Sequence, residues 1–286
     1  MSQSLSSGAF QTFASLLKTR SGLVIGPDKL YLLETRLAPI LKQEKLRDLA
    51  ALADRLRAPA AEPLIRQVVE AMTTNESFFF RDDKPFQHFR NQALPRLLAA
   101  RSPGAPLRVW SAASSSGQEA YSIAMILTEC RASLGDRRIE IIGTDLARDQ
   151  VVRARDGTYT QFEVQRGLPV QVLMRYFRKE ENGWRISEAI RNMVQYREWN
   201  LLGDLRPLGQ FDVVFCRNVL IYFDQPTKAK VLDSVALQMP ADGMLYLGGA
   251  ETVLGITSRF VPLANERGVY GLASAAPVRP AAAAAR

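Results

Sequence analysis

Residues 108–127, RVWSAASSSGQEAYSIAMIL, decide the fold. An apolar strand-like run enters a turn of small residues, and a helical pattern follows at once. A nucleotide-binding α/β fold usually makes this turn from glycines, yet here Ser114, Ser115 and Ser116 precede a single Gly117. Small side chains still let the backbone approach a ligand closely. A helix that begins near Gly117 offers its unpaired N–H groups to that ligand.

Outward from this turn, strand-like runs recur at RIEIIGTD, MVQYREWN, FDVVFCRN and GMLYLGGAE. Helical patterns follow Gly117 and lie around 146–156 and 225–238. The alternation predicts an α/β fold with a parallel, doubly wound sheet. Such sheets bind ligands beyond the carboxyl ends of their strands. The positions to watch are therefore Ser111 to Glu119, Asp145, Asn200, Arg217 and Asn218.

The first seventy or so residues have a different texture. Phe10, Phe13, Ala14 and Leu17 share one helical face, as do Leu30, Leu33, Leu37 and Leu41. Leu46, Leu49, Ala53 and Leu56 repeat the pattern, and Ile65, Val68, Val69 and Met72 do so again. Gly and Pro breaks separate them. We assign 1–78 to an all-helical domain and 79–273 to the α/β domain. Within the latter, about 158–198 reads as an insertion, with a helix near 169–178 and a strand pair at the ENG turn. The Ala/Pro-rich tail, 274–286, is expected to be disordered.

Composition narrows the function. Two cysteines, Cys130 and Cys216, give no disulfide framework, and one histidine makes a metal site improbable. No secretory signal and no membrane-length apolar run is evident, so the expected location is cytoplasmic, without membrane insertion. The net charge of +8 favours an acidic partner, but the basic residues are scattered and fit a solvated surface equally well.

The chemistry-bearing residues gather in two places. Asp145, ending the second strand, suits hydrogen bonds to ribose hydroxyls, or else an ordinary helix N-cap. S-adenosylmethionine carries no phosphate, so a serine turn can receive it without several glycines. The stretch MTTNESFFFRD sets polar Asn75, Ser77 and Arg81 around three phenylalanines. The rings can be interdomain packing, while the polar groups suit a carboxylate or polar ligand.

With TTNESFFFRD, SAASSSGQEAYS, GTDL, WNLL, FDVVFCRNVLIYFD and GGAE in this order, the chain resembles the CheR-type chemoreceptor glutamate methyltransferases over nearly its whole length. The resemblance implies a Rossmann-like methyltransferase sheet that binds S-adenosyl-L-methionine and releases S-adenosyl-L-homocysteine. It implies that Asn75, Ser77 and Arg81 hold the cofactor's amino-acid end. Glu119 and Asp145 would make further polar contacts, Asp145 at the ribose or adenosine. Asn200 with Leu201, and Arg217 with Asn218, would flank the adenine. Tyr222 would stand near methyl transfer, and Arg81 and Tyr222 are the catalytic candidates. The implied partners are chemoreceptor cytoplasmic helices and, at the insertion, a receptor C-terminal tail. Gln118 departs from the family's usual glutamate and would remove a charge beside the cofactor. Ser77 replaces a frequent threonine but keeps the hydroxyl.

A carboxylate nucleophile, with a pKa of about 4.3, needs no general base, in keeping with a single histidine. His88 reads as structural or exposed. Lys29, Arg36 and Lys42 are candidates to meet acidic substrate helices. Three other readings compete. A nucleic-acid methyltransferase would need an Asp/Asn-Pro-Pro-aromatic stretch or an activated cysteine, and Cys216 reads as a buried strand residue. A non-catalytic cofactor-binding scaffold would keep the same pocket residues. A small-molecule carboxyl methyltransferase would have little use for the helical domain and insertion.

Overall fold

A computed structural model represents the 286-residue chain and describes residues 7–264 and 266–273. The tail expected to be disordered lies outside the described residues. Four helices come first: α1 (Ser7–Ser21), α2 (Leu30–Gln43), α3 (Leu49–Arg55) and α4 (Glu62–Met72). Each buries the stripe read from its periodicity, and Phe13, Leu17, Leu33, Leu37, Leu52 and Val68 are wholly enclosed. Together they close an apolar cluster of their own. Asp48 caps α3 by accepting from the Ala51 amide at 2.8 Å. Pro63 sits in the first turn of α4, where its missing N–H costs nothing.

A linker then leads to α5 (Lys84–His88), a π-helical turn at Phe89–Ala93, and α6 (Leu94–Ala100). The α/β part follows as β1 (Leu107–Ala112), α7 (Gln118–Glu129), α8 (Arg131–Leu134), β2 (Ile139–Asp145) and α9 (Arg148–Asp156). Next come β3 (Thr158–Tyr159), α10 (Gln161–Gln165), α11 (Val170–Tyr176), β4 (Phe177–Glu180), β5 (Gly183–Ile186) and α12 (Glu188–Arg191). The chain closes with β6 (Val194–Glu198), β7 (Val213–Phe215), α13 (Gln225–Ala236), β8 (Met244–Tyr246), β9 (Phe260–Pro262) and β10 (Val269–Leu272).

The main sheet runs β6-β2-β1-β7-β8-β10-β9. Its first five strands are parallel, as the alternation predicts, but β10 is antiparallel to both neighbours. The sheet is therefore mixed rather than wholly parallel. The loop from β9 to β10 is too short for a crossover, so that pair can only run antiparallel. The insertion is also narrower than expected. Residues 194–198 pair with β2 in the main sheet, leaving a three-stranded sheet, β3-β5-β4, with its helices.

Helices cover both faces of the sheet. One face packs Phe86 and Phe89 against Phe215, and the other gathers Val231 and Val235 of α13 into one cluster with Trp110 and Val214. Burial of each such large side chain contributes roughly 1.5–3 kcal/mol. From β1 the chain passes to β2 on one side, while β7 lies on the other. A crevice opens at that switch point, beyond the strands' carboxyl ends.

Candidate active site

The crevice is a cleft of about 990 Å³, including its solvent-open mouth. Its lining brings together Asn75, Ser77, Arg81, Glu119, Asp145, Asn200, Leu201, Arg217, Asn218 and Tyr222. These come from the linker, from the first turn of α7, from the ends of β2, β6 and β7, and from a 3-10 turn at Leu220–Tyr222. Ser21 and Leu23, at the end of α1, also line it, so the cleft lies between the N-terminal helices and the sheet.

The serine turn is a strained loop. Ala113 and Ser115 adopt left-handed φ values of 56° and 49°, where glycines would be at ease. Asp145 holds it there. Its Oδ2 accepts from the Ser115 amide at 2.7 Å, and its Oδ1 accepts from the Ala147 amide at 2.9 Å. The residue at the N-cap of α9 is Ala147, so Asp145 braces the loop rather than capping the helix. Burial raises the Asp145 pKa, and the amides of Ala147, Ser115 and Leu146 oppose the rise. The Gly117 φ is 95°, and a Cβ there would meet Tyr196 Oη at 2.6 Å. That hydroxyl instead donates to the Gly117 carbonyl at 3.1 Å.

Glu119 is likewise enclosed, with Oε1 accepting from Ser111 Oγ at 2.8 Å and Oε2 from Arg217 Nη1 at 2.9 Å. Burial pushes its pKa up, and the Arg217 charge and the Ser111 hydroxyl work against this. The Arg217 side chain is 1% exposed. Its Nη2 donates to the Arg81 carbonyl at 2.7 Å and to Asp82 at 2.8 Å, and its guanidinium lies 5.4 Å from the Phe86 ring. Arg217 thus ties the linker to Glu119. Asn218 has a φ of 60°. The Asn200 side chain bridges domains, donating to the Arg20 carbonyl at 2.6 Å and accepting from the Leu202 amide at 2.9 Å. Leu201 is buried in the apolar cluster beside α13.

On the linker side, Asn75 donates to Thr73 Oγ1 at 3.0 Å, and its carbonyl accepts from Ser115 Oγ at 3.0 Å. Arg81 Nη1 donates to the Glu76 carbonyl at 2.8 Å. The three phenylalanines divide their work. Phe79 packs edge-on against Tyr159 at 5.0 Å and Phe177 at 5.3 Å, fastening the insertion. Phe80 packs on Phe86 at 5.5 Å, and Phe78 lies near the guanidiniums of Arg81 and Arg166, 5.4 and 4.3 Å away. Gly167 is obligatory because a Cβ there would collide with the Phe79 carbonyl.

Two expectations change. Gln118 is buried under the turn, accepting from Ser116 Oγ at 3.0 Å, and does not line the cleft. Its lost charge is therefore not exposed to a cofactor. Arg36 is committed to the linker: Nη1 donates to the Met72 and Thr73 carbonyls at 2.7 and 3.0 Å, and Nη2 to Thr74 Oγ1 at 3.1 Å. It is a clamp, unlike exposed Lys29 and Lys42. His88 takes the structural alternative: it is buried with Nδ1 2.8 Å from Tyr246 Oη, and desolvation lowers its pKa. Cys216 is fully enclosed, and burial pushes its thiol well up, which removes it as a nucleophile.

Sequence reasoning missed Ser114 as an individual residue. The residue lines the cleft, and its Oγ is buried with no hydrogen-bond partner among the described residues. An orphaned hydroxyl of this kind calls for a polar ligand. The Asp145 oxygens each spend only part of their acceptor capacity on backbone amides, leaving room for a ligand's hydroxyls. Trp199 and Phe223 add aromatic lining. These groups fit a nucleoside joined to an amino acid.

Residues 75–269 match the family model described as CheR methyltransferase, SAM binding domain, and residues 8–73 match CheR methyltransferase, all-alpha domain. The chain is 38% identical over 255 residues to chemotaxis protein methyltransferase Cher2 of Pseudomonas putida, covering 88% of this chain and 92% of that protein. It is also 38% identical to chemotaxis protein methyltransferase 1 of Pseudomonas aeruginosa, with the same coverage. Identity to the chemotaxis protein methyltransferase of Vibrio parahaemolyticus is 35% over 259 residues, 90% of this chain and 93% of that one. Helices, sheet and cleft thus fall into place together, and the chain belongs to the CheR family of S-adenosylmethionine-binding methyltransferases.

Proposed function

We propose that the chain transfers a methyl group to glutamate side chains on chemoreceptor cytoplasmic helices, forming glutamate methyl esters for chemosensory adaptation. The similarity to chemotaxis methyltransferases supports the pathway. One structural observation carries the choice of acceptor. Arg81 and Tyr222 line the same cleft as the cofactor-type residues, whereas the chain's one histidine is outside it, bonded to Tyr246. The cleft carboxylates Glu119 and Asp145 are already engaged by Ser111, Arg217 and backbone amides, and a carboxylate acceptor, ionised at neutral pH, needs no base. When bound, S-adenosylmethionine would supply an electrophilic sulfonium methyl, whose carbon would gain a bond to the carboxylate oxygen as its bond to sulfur broke, the electron pair leaving with the sulfur of S-adenosylhomocysteine.

The chain's own part is alignment, which contributes up to about 7–11 kcal/mol in well-oriented reactions. In this reading Arg81 orients the incoming carboxylate, with its guanidinium braced by the Glu76 carbonyl. Tyr222 offers its hydroxyl to substrate or cofactor, and its backbone carbonyl accepts from the Val24 amide at 3.0 Å, which fixes the turn that carries it. Asn75, Ser77, Glu119, Asp145, Asn200, Leu201, Arg217 and Asn218 form the cofactor's surroundings. The insertion presents β4 at the edge of its small sheet, with Arg178 and Lys179 exposed, a setting suited to adding a receptor tail as a further strand.

The test uses methyl-labelled S-adenosylmethionine and a chemoreceptor cytoplasmic fragment. The expected result is alkali-labile label in the fragment, lost when its target glutamates become alanine and reduced about 100-fold by Arg81→Ala. Cofactor binding without transfer to any of a panel of receptors would overturn the assignment.

A further inference from the structure

We propose that Glu251 is a positioning residue for the cleft wall carrying Asn218 and Tyr222. It lies in the GGAE turn after β8, closed by its own amide donating to the Gly248 carbonyl at 2.9 Å. The side chain folds back across the sheet end. Oε2 accepts from the Asn218 amide at 2.7 Å and the Gly248 amide at 2.7 Å, and Oε1 accepts from the Ile221 amide at 3.2 Å. One carboxylate therefore joins the segments that follow β7 and β8.

Its main target has an unusual backbone. Asn218 sits at a φ of 60°, a left-handed conformation that asparagine tolerates better than most residues but that still needs support, and it lines the cleft. The short bond from its amide to Glu251 is charge-assisted and favours that conformation. The Ile221 amide belongs to the turn that presents Tyr222, so the same carboxylate reaches the second segment. Gly248 leaves the necessary space: a Cβ there would stand 2.7 Å from Asn218 Nδ2 and 2.8 Å from Glu251 Oε2. Glu251 is not among the lining residues, so it acts through its neighbours.

Acceptor count separates positioning from mere packing. Glutamine offers one acceptor oxygen, which can take the Asn218 and Gly248 amides, but its NH2 would then face the Ile221 amide. Calorimetric binding of S-adenosylhomocysteine is the readout, independent of the methyl acceptor, with the thermal midpoint of the free protein followed in parallel. Glu251→Ala is expected to weaken binding about 10-fold or more, and Glu251→Gln about 3-fold, at temperatures where both are folded. Gly248→Ala, which keeps the carboxylate but crowds it, is expected to weaken binding by an amount between the two. If Glu251→Ala does not fold, the other two variants decide. Binding within two-fold of wild type in Gly248→Ala and in whichever Glu251 variant folds would overturn the proposal. So would wild-type binding in Glu251→Gln beside a loss in Glu251→Ala, which would reduce Glu251 to a filler of space.

Discussion

The cleft wall that rises from the sheet holds its carboxylates with strand-end amides and buried partners, whereas the linker wall is held by contacts that cross between domains. Asp145 and Glu119 are fixed by groups within the α/β fold or buried against it. Thr73 to Arg81 depend on Arg36 from the helical domain, on the insertion packed around Phe79, and on the Arg217 bond to the Arg81 carbonyl. The first wall is preorganised with the sheet itself. The second takes its shape from three separate supports, one in the helical domain, one in the insertion and one at the end of β7.

The largest expected effect breaks the sheet wall. Arg217→Met removes the cation from buried Glu119 and should destabilise the protein by about 3–5 kcal/mol, measured by urea unfolding. Adding Glu119→Gln should recover at least half of that loss, because the stranded charge disappears. A loss below about 1 kcal/mol would show that this ion pair is not what holds the wall.

A smaller effect is expected on the linker wall. Arg36→Ala deletes three hydrogen bonds that hold Met72 to Thr74. It should cost about 1–2 kcal/mol of stability and weaken S-adenosylhomocysteine binding about 10-fold. Unchanged binding would mean that the linker keeps its shape without the clamp. The smallest effect tests the domain contact at the rim. Lys18 pairs with Asp224 at 2.7 Å, and Lys18→Ala should cost only about 0.2–1 kcal/mol, fading in high salt. The hydrogen bonds from Lys18 and Thr227 hold the Asp224 carboxyl down at about 2. The pair's contribution is thus full above the ordinary carboxylate value of 3.8 and is lost as pH falls through about 2. A salt-insensitive loss would place its origin in packing rather than charge.

Much of this was legible without coordinates. The periodicity of the four N-terminal helices and the strand–turn–helix run through Gly117 follow from local steric and hydrophobic rules, which act over a few residues. Strand ends mark where ligands collect, so Asp145, Asn200, Arg217 and Asn218 could be named from position alone. The antiparallel pair β9 and β10 escaped because no helical pattern separates it; β7 and β8 are as short, but they stand out as apolar runs on either side of α13. The narrower insertion has a similar cause: 194–198 looks like a strand in either setting, and only pairing with β2 assigns it.

The sequence by itself determined which residue types stand at each strand end and which stretch of polar and aromatic residues joins the domains. The tertiary structure alone decided what those side chains do. Gln118 turned inward while the Ser114 hydroxyl was buried without a partner; Arg36 reached the carbonyls of residues 36 and 37 positions away; Glu251 gathered amides from Gly248, Asn218 and Ile221. Such roles depend on which distant donor meets which acceptor once both have left water, a matter of three-dimensional proximity that local pattern does not encode.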